Sequence, residues 1–397
     1  MKVRGYYYLN GIPGNVWILG FVSLLTDISS EMIHSLLPLF LVSELNAGVL
    51  SVGLIEGIAE ATASVFKVFS GTLSDYLGKR KTLAVLGYGL SSLVKPLFAL
   101  ATSPAWVLVA RFSERVGKGI RVAPRDALVA DATPIEMRGA AYGLRQSLDT
   151  IGAFLGPLVA FVLMAALGNN FRMVFWLAVI PGVLAVGLLV AGVREPSNTT
   201  PQQSRNKLLR WDALQRLGGE YWMLVGVALL FNMGNSSNAF LLLRAAQAGI
   251  SASWVPLTLI VMNLAYSLSA YPIGVLSDRV SRIGLLVGGF LLYALVYLGF
   301  AFVQAPWQIW VLFAFYGLHL GMSKGVLLAF VADRVPVDLR GTAFGFLNLA
   351  VGVALLPASL LGGALWQGLG SEATFITGSF FALVAALVLL FSLRFKR

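Results

Sequence analysis

The stretch "GTLSDYLGKRK" at residues 71–81 joins two long apolar runs, and a shorter version of it returns as "GVLSDRVSR" at residues 274–282. Both contain the order Gly-x-Leu-Ser-Asp followed by basic residues, and they begin 203 residues apart. Each stands between one apolar run and the next. A polar, glycine-containing turn that returns after half the chain indicates an internally duplicated protein.

A second repeated pair has almost the same offset. Residues 130–143 read "ADATPIEMRGAAYG" and residues 332–345 read "ADRVPVDLRGTAFG", 202 residues apart. Both contain Ala-Asp, a proline, an acid, Arg-Gly and an aromatic residue before a final Gly. Because chance matches would not preserve one offset, we predict two related halves, residues 1–193 and 219–397, joined by a polar, basic linker at 194–218.

The composition places these halves in a membrane. Of the 397 residues, 58% are hydrophobic and 12% are charged, and the mean hydropathy is +0.81, which is too apolar for a single water-soluble core. Runs of about the 20 apolar residues that a membrane crossing requires recur along the whole chain. The first run is too long, and has too many others after it, to be a cleavable signal. The twelve runs are 15–42, 48–72, 82–102, 105–128, 139–166, 172–193, 219–243, 253–275, 283–303, 306–330, 341–366 and 373–394.

The loop charges predict how these runs are oriented. The net charge is +11, and numbering the loops from a cytoplasmic N terminus gathers nearly all loop Lys and Arg on that side. Arg172 alone falls on the other side, with Arg244 near a helix end. This positive-inside asymmetry predicts a multi-pass protein of the inner membrane with both termini in the cytoplasm. It accounts for the basic charge without a nucleic-acid partner.

Two scarce residue types limit the kinds of site. The chain has no Cys, which excludes disulfides and thiolate metal sites. Its two His, His34 and His319, are too few for a histidine-rich metal cage. We therefore predict no metal and no cofactor.

The repeated loop carries a family resemblance. The run from Gly71 through Asp75 and Gly78 to Lys81 resembles the cytoplasmic loop signature of the major facilitator superfamily. The resemblance extends over the whole chain. It implies twelve helices in two six-helix bundles that rock about a central site, as in the proton-coupled antiporters and permeases of that family, without enzymatic chemistry. It also implies a monomer in the lipid bilayer.

Two further motifs are similar to those of the same family. Arg115-x-x-x-Gly119 is similar to its membrane-embedded Arg motif, and Gly152-x-x-x-Gly156-Pro157 is similar to its antiporter-associated motif. Two later glycines of the antiporter-associated motif are replaced in this chain.

The loop signature has a physical rationale of its own. Gly71 and Gly78 allow the chain to turn tightly between helices, and Asp75 offers a carboxylate close to basic side chains such as Arg80. The duplication places Asp278 at the equivalent position of the second half. We predict that these residues latch one conformation, the alternative being that the basic run only anchors the topology.

The run at 105–128 carries a row of charges, here called the charge stripe. At about 100° per residue in a helix, its members fall within an arc of roughly 140°. Five bases facing lipid would cost on the order of 10 kcal/mol, so the stripe is expected to face a water-filled cavity or acidic partners. The first three bases are predicted to contact the solute, whereas the last two have the alternative of snorkelling or pairing at the membrane interface. In chain order the stripe is Arg111, Glu114, Arg115, Lys118, Arg121, Arg125 and Asp126.

Acidic side chains elsewhere are candidate partners. The first run carries Asp27, Glu31 and His34 at i, i+4 and i+7, on one face, and Asp149 forms an i,i+4 pair with Arg145. In the superfamily the cavity is lined mainly by helices 1, 4, 7 and 10. The resemblance therefore implies that Asp27 and Glu31 are the foremost proton-coupling residues, with His34 and Asp149 as further candidates. The alternative is a static salt bridge to a base of the stripe.

Neutral polar groups dominate the equivalent runs of the second half. "FNMGNSSN" at 231–238 offers Asn232 and Asn235, and a later run offers His319 and Lys324. An ionic first half and an amide-rich second half predict a proton-handling domain that faces a substrate-orienting one. The alternative for the asparagines is hydrogen bonding between neighbouring helices.

The balance of charge within the predicted helices suggests the substrate. Cations outnumber carboxylates by ten to seven, which favours an anionic solute such as a carboxylate, a phosphate ester or a carboxylate-type chelate such as a siderophore. We predict a proton-coupled secondary transporter that works by alternating access. The alternatives are a proton antiporter that exports amphiphilic or cationic drugs, and a receptor or scaffold without turnover. The predicted substrate-binding residues are Arg111, Arg115, Lys118, Arg145, Asn232, Asn235 and Lys324.

Overall fold

The computed structural model describes residues 12–77, 79–134, 137–194, 216–277, 279–336 and 339–394. Within these ranges the regular structure consists of helices. In chain order they are α1 (Gly14–His34), α2 (Leu37–Ser43), α3 (Val49–Leu77), α4 (Arg80–Leu93), α5 (Lys95–Leu100), α6 (Pro104–Ala132), α7 (Arg138–Ala166), α8 (Phe171–Gly192), α9 (Gly219–Gly234), α10 (Asn238–Gln247), α11 (Val255–Ser277), α12 (Arg282–Ala301), α13 (Pro306–Arg334), α14 (Arg340–Leu369) and α15 (Ser371–Arg394).

The helices have the lengths that a membrane protein requires. In the described part of the chain, 11 stretches are both long and apolar enough to cross a membrane. The α6 helix has 29 residues, which at about 1.5 Å per residue is also long enough to span. Its charge stripe explains why composition alone does not mark it. The predicted all-α membrane fold with twelve spanning segments is confirmed.

Three of the predicted runs contain two helices each, which the sequence analysis did not foresee. Pro38 and Pro96 lie in the first turns of α2 and α5, where a missing N–H interrupts the hydrogen-bond ladder of the preceding helix. The break between α9 and α10 contains no proline. There Asn235 leaves helical geometry, with φ −95° and ψ 73°, and Ser237 caps α10 by accepting a hydrogen bond from Ala239 N.

The described residues form two compact units. The N-terminal unit comprises Met1–Ser35 and Val65–Leu208, and the C-terminal unit comprises Leu36–Ser64 and Leu209–Arg397. The domain boundaries expected from the sequence stay a prediction, and residues 195–215 of the expected linker lie outside the described residues.

The same helix pairs pack together within each unit. In the N-terminal unit, α1 packs on α7 and α8, and α4 packs on α6 and α8. In the C-terminal unit, the equivalent pairs are α9 with α14 and α15, and α12 with α13 and α15. This packing agrees with the duplication that the two repeated motifs indicate.

Candidate functional site

The charge stripe of α6 is largely buried inside the N-terminal unit. Arg111, Arg115, Arg121 and Arg125 expose only 2, 6, 5 and 9% of their surface, whereas Lys118 is exposed. The buried bases therefore face protein, as the cost of placing charges in lipid requires. Snorkelling to the membrane surface does not describe Arg121 and Arg125, because protein covers both side chains.

The first ionic cluster joins α6 to the end of α1. Glu114 accepts a hydrogen bond from Arg111 Nη1 at 3.0 Å, and its carboxylate lies 2.8 Å from His34 Nε2. Arg111 Nη1 also contacts His34 Nε2, and His34 Nδ1 lies 3.8 Å from Glu31 Oε1. When Nε2 carries a proton it donates to Glu114, and without that proton it accepts from Arg111. The tautomer of His34 therefore decides which of these two partners its Nε2 atom bonds.

The second ionic cluster joins α6 to α7. Arg145 Nη1 donates to Asp149 Oδ2 at 2.9 Å, which confirms the predicted i,i+4 pair. Arg125 Nε donates to Asp126 Oδ1 at 3.0 Å, and Arg125 Nη1 lies 3.9 Å from Asp149 Oδ1. Arg145 Nε lies 3.8 Å from Asp126 Oδ1. Two arginines therefore alternate with two carboxylates, and each charge has an opposite neighbour.

Asp27 and Arg121 interact electrostatically, but among the described residues neither forms an ion pair with a member of the two clusters. Asp27 is near enough to Asp149, Lys118 and Arg121 to interact with them electrostatically. Among the described residues, its carboxylate forms no hydrogen bond and no ion pair. The Arg121 guanidinium lies 4.5 Å from the centre of the Tyr88 ring, and its Nε and Nη1 have no hydrogen-bond partner in the described part of the protein. Glu31 interacts electrostatically with Lys118 and Arg115.

The antiporter-associated motif, Gly152 to Pro157 in α7, holds the acidic face of α1 against α7. A Cβ atom at Gly152 would lie 2.7 Å from Leu24 O and 3.0 Å from Asp27 Cβ, and one at Gly156 would lie 2.5 Å from Glu31 Cβ. Only glycine allows the two backbones to approach this closely. Pro157 follows inside α7. The motif therefore positions both candidate proton-coupling carboxylates.

The structure adds a buried base that the sequence analysis did not single out. Lys95, the first residue of α5, is fully buried. Its amine contacts Ser29 Oγ and lies 3.4 Å from Ser30 Oγ, and Ser29 in turn donates to Ala178 O on α8. The signal in the sequence was a Lys-Pro pair inside an otherwise apolar run, which is where a helix is interrupted.

In the C-terminal unit, the break between α9 and α10 gathers amide and phenol groups. The Tyr316 hydroxyl donates to Asn235 Oδ1 at 3.3 Å and to Asn238 Oδ1 at 3.4 Å. Asn232 Nδ2 donates to Ala228 O of its own helix at 2.8 Å. Because Asn238 is exposed and its oxygen faces Tyr316, its NH2 group is the donor directed outward. Tyr316 thus orients Asn238, a residue outside the predicted substrate-binding set.

The remaining predicted residues of this unit lie on α13 in different surroundings. Lys324 is exposed, its amine lies 5.5 Å from the centre of the Tyr266 ring, and it interacts electrostatically with Glu60. His319 is buried, and its Nδ1 lies 2.7 Å from Gly289 O. Since a carbonyl can only accept, Nδ1 carries the proton. Because His319 is buried and bonds to a backbone carbonyl, it is a packing residue.

The predicted latch residues are described only in part. Gly71 and Asp75 lie within α3, but the Asp75 side chain, Gly78 and Asp278 are outside the described residues. Arg80 does form an ion pair, and its partner is Asp131. Arg80 Nη1 also donates to Ala127 O at 3.4 Å.

The same arrangement recurs in the second half. Arg282 pairs with Asp333 and donates to Ala329 O at 2.8 Å, which repeats the contacts of Arg80 202 residues later. Asp131 and Asp333 are the aspartates of the Ala-Asp pair that begins the second repeated motif. The two repeated motifs thus meet within each unit.

Comparison with known proteins gives relatives over nearly the whole chain. An uncharacterised MFS-type transporter of Methanocaldococcus jannaschii is 35% identical over 95% of this chain and 94% of its own length. The multidrug resistance protein MdtG of Serratia proteamaculans is 25% identical, with 95% and 92% coverage. A gentisate transporter of Corynebacterium glutamicum is 27% identical, with 96% and 87% coverage.

Solved structures share the fold. The nucleoside transporter NupG, in mutant form, superimposes with a TM-score of 0.81 at 14% identity, covering 94% of this chain and 98% of its own. A bacterial homologue of the lysosomal transporter Spinster gives a TM-score of 0.77 at 16% identity, covering 96% of each chain. The family model described as Major Facilitator Superfamily matches residues 19–262 and 222–397. This multi-pass membrane protein therefore belongs to the Major Facilitator Superfamily of transporters.

Proposed function

We propose that this protein transports a small organic anion, such as a carboxylate, a phosphate ester or a carboxylate-type chelate, by proton-coupled alternating access. The observation that carries the proposal is the surplus of bases, most of them buried, in the N-terminal unit. Away from the ends of the spanning segments, and apart from Lys67 on the exposed surface of α3, seven bases there face five carboxylates. The bases are Lys95, Arg111, Arg115, Lys118, Arg121, Arg125 and Arg145, and the carboxylates are Asp27, Glu31, Glu114, Asp126 and Asp149.

A bound anion would offset this surplus. Buried charges are costly unless they are compensated, and the ionic clusters leave the positive charge in excess. A carboxylate or phosphate would give the bases charge-assisted hydrogen bonds, each about 1.5–3 kcal/mol. The gentisate transporter among the relatives handles an aromatic carboxylate by its name, which supports this class of solute.

Protons are the proposed coupling ion, carried by Asp27 or Glu31 with His34 and Asp149 as relays. Asp27 lacks an ion pair among the described residues, so it is available to bind and release a proton. The working form is proposed to be a monomer in the inner membrane with both termini in the cytoplasm.

The proposal is tested first by binding and then by transport. Purified protein is screened by thermal shift against gentisate, benzoate, citrate and inorganic phosphate, with tetraphenylphosphonium and ethidium as cations. Any stabilising anion is then followed in proteoliposomes with an imposed pH gradient, with and without a protonophore. Anion accumulation that the protonophore abolishes is the expected result. Lack of stabilisation by every anion, together with binding of a cation, would reject the proposal.

A matched pair of variants connects the result to the stripe. Arg115→Gln should weaken anion binding about ten- to a hundredfold, the equivalent of one lost charge-assisted hydrogen bond. Lys67→Gln removes a positive charge from the exposed surface of α3 and should change the affinity little. Equal affinity in the two variants would move the anion site away from Arg115.

The second candidate function is export of amphiphilic or cationic drugs by proton antiport. It is favoured by the relative named as a multidrug resistance protein. Ethidium efflux driven by a proton gradient, in the absence of anion transport, would establish it. A receptor or scaffold would bind a ligand without sustained uptake or efflux.

A further inference from the structure

Arg121 is a buried cation, and two of its nitrogen atoms lack a hydrogen-bond acceptor among the described residues. Its side chain exposes 5% of its surface, yet its Nε and Nη1 form no hydrogen bond with any described residue. A guanidinium carries five N–H donors that stay charged at any ordinary pH, and a buried donor without an acceptor is strongly destabilising. The fold therefore maintains a cation that lacks an acceptor from the described protein.

The neighbours of Arg121 hold it without neutralising it. The Tyr88 ring lies under the guanidinium at 4.5 Å, an attraction that leaves the N–H groups free to donate. Tyr88 itself is buried, and its hydroxyl lies 3.5 Å from Ser23 Oγ, which accepts from Arg125 Nη1 at 3.3 Å. A Cβ atom at Gly87 would lie 2.7 Å from Arg121 Cβ, so α4 and α6 are in tight contact at this point. The guanidinium is thus held in one place before any ligand arrives.

Asp27 is the carboxylate that acts on Arg121. The two interact electrostatically, but no ion pair joins them. The charged or titratable groups around this pair come from α1, α4, α5, α6 and α7. They are Tyr88 on α4, Lys95 on α5, Lys118 and Arg125 on α6, Asp149 on α7 and Glu31 on α1. Asp149 is engaged by Arg145 and Glu31 lies beside His34, so Asp27 is the acid of this group without its own ionic contact.

We propose that Arg121 is a second anion contact of the N-terminal unit beside Arg115, and that it exchanges between the ionised Asp27 carboxylate and a carboxylate or phosphate of the solute. When the anion binds in the planar fork of Arg121, Asp27 takes up one proton from water and becomes neutral. When the anion leaves, Asp27 returns that proton to water, and its negative charge again compensates Arg121. One proton and one anion are therefore bound and released together.

This inference rests on the proposed function and deepens it. Within the charge stripe it singles out Arg121, whose Nε and Nη1 donors are unsatisfied among the described residues. It also names Asp27 as the acid whose proton accompanies the solute. The fork geometry of arginine favours an oxyanion with two oxygens in one plane, which carboxylates and phosphates both provide.

The test measures binding and proton uptake by the purified full-length protein. The probes are benzoate and inorganic phosphate, titrated by calorimetry in two buffers of different ionisation enthalpy, so that protons taken up per anion can be counted. For wild type, we expect about one proton per anion and an affinity that falls as the pH rises. Arg121→Gln should weaken binding at least tenfold, and Lys67→Gln should match wild type. An Arg121→Gln variant that binds as tightly as wild type would overturn the contact.

Two further variants keep the inference falsifiable if Arg121→Gln does not fold. Arg121→Lys keeps the charge but cannot form the planar fork, so it should bind more weakly than wild type, and unchanged affinity would overturn the bidentate contact. Asp27→Asn should bind the anion with no proton uptake and with an affinity independent of pH. If proton uptake persists in Asp27→Asn, the exchange is refuted while anion transport stands. If wild type binds neither probe nor any other anion, the proposed function itself fails.

Discussion

Gly156 allows a direct test of how tightly α7 must approach α1. In Gly156→Ala the added carbon would lie 2.5 Å from Glu31 Cβ and 3.0 Å from Ile28 O. Ordinary contact between carbons is about 3.5–4.0 Å, so the helices must separate by on the order of 1 Å. Relief by a flexible side chain is unavailable, because the nearest atoms are a Cβ and a backbone carbonyl. Such overpacking costs about 1–3 kcal/mol, against a gain of about 1 kcal/mol in helix propensity.

Gly143 supplies the matched control on the same helix. Nothing lies within 4 Å of a Cβ placed there, so Gly143→Ala should gain about 0.5–1 kcal/mol without a packing penalty. The two variants should therefore differ in unfolding free energy by about 1–3 kcal/mol, with Gly156→Ala the less stable. The measurement is reversible unfolding by denaturing detergent, followed by tryptophan fluorescence. If Gly156→Ala is as stable as Gly143→Ala, the close approach of α1 and α7 is wrong.

The other predictions concern ion pairs and one amide. Glu114→Gln should lower the unfolding free energy by about 3–5 kcal/mol, because it removes the negative charge that contacts the buried Arg111, whereas replacing both residues with Leu should cost less; equal losses would argue against a buried pair. Arg80→Asp should slow transport, and adding Asp131→Arg should restore it in part, which initial rates in vesicles will measure; no recovery would exclude a direct pair. Asn238→Ala should weaken solute binding about tenfold with an unchanged melting temperature, and a lowered melting temperature with intact affinity would make Asn238 a packing residue.

Much of the fold could be predicted from the sequence because the membrane limits the choices. A lipid-facing backbone must be helical, so apolar runs define most of the spanning segments, the charged α6 being the exception. The charge stripe predicted a helix face turned away from lipid, toward a water-filled cavity or acidic partners. The burial of Arg111 and Arg115 agrees with a face turned away from lipid. The breaks at Pro38 and Pro96 could have been inferred, since proline removes a helical hydrogen bond. The break at Asn235 has no such signal, because it depends on contacts from Tyr316 on another helix.

The pairing of the charges could not be predicted, for a physical reason. Helical periodicity fixes which residues share a face, but which partner that face meets depends on the rotation and tilt of the neighbouring helix. The periodicity alone allows the α1 carboxylates to be static partners of the stripe. In the structure, Arg111 bonds to Glu114 of its own helix, and Asp27 has no ion pair with a described residue. A rotation of α1 about its axis would present different side chains to α6 without any change in the periodicity of the sequence.

Taken together, the two repeated motifs predict an ion pair that neither motif predicts alone. Arg80 belongs to the first motif and Asp131 to the second, and they are 51 residues apart, as are Arg282 and Asp333. When two motifs are duplicated with one offset, the separation between them is also duplicated, so a contact between them in one unit predicts the same contact in the other. Each half can therefore form its ion pair with residues from its own half. The duplication explains why the loop signature is accompanied in each half by an acid 51 residues after its last arginine. Arg282 and Asp333 are therefore the positions at which the charge-reversal test of Arg80 and Asp131 can be repeated.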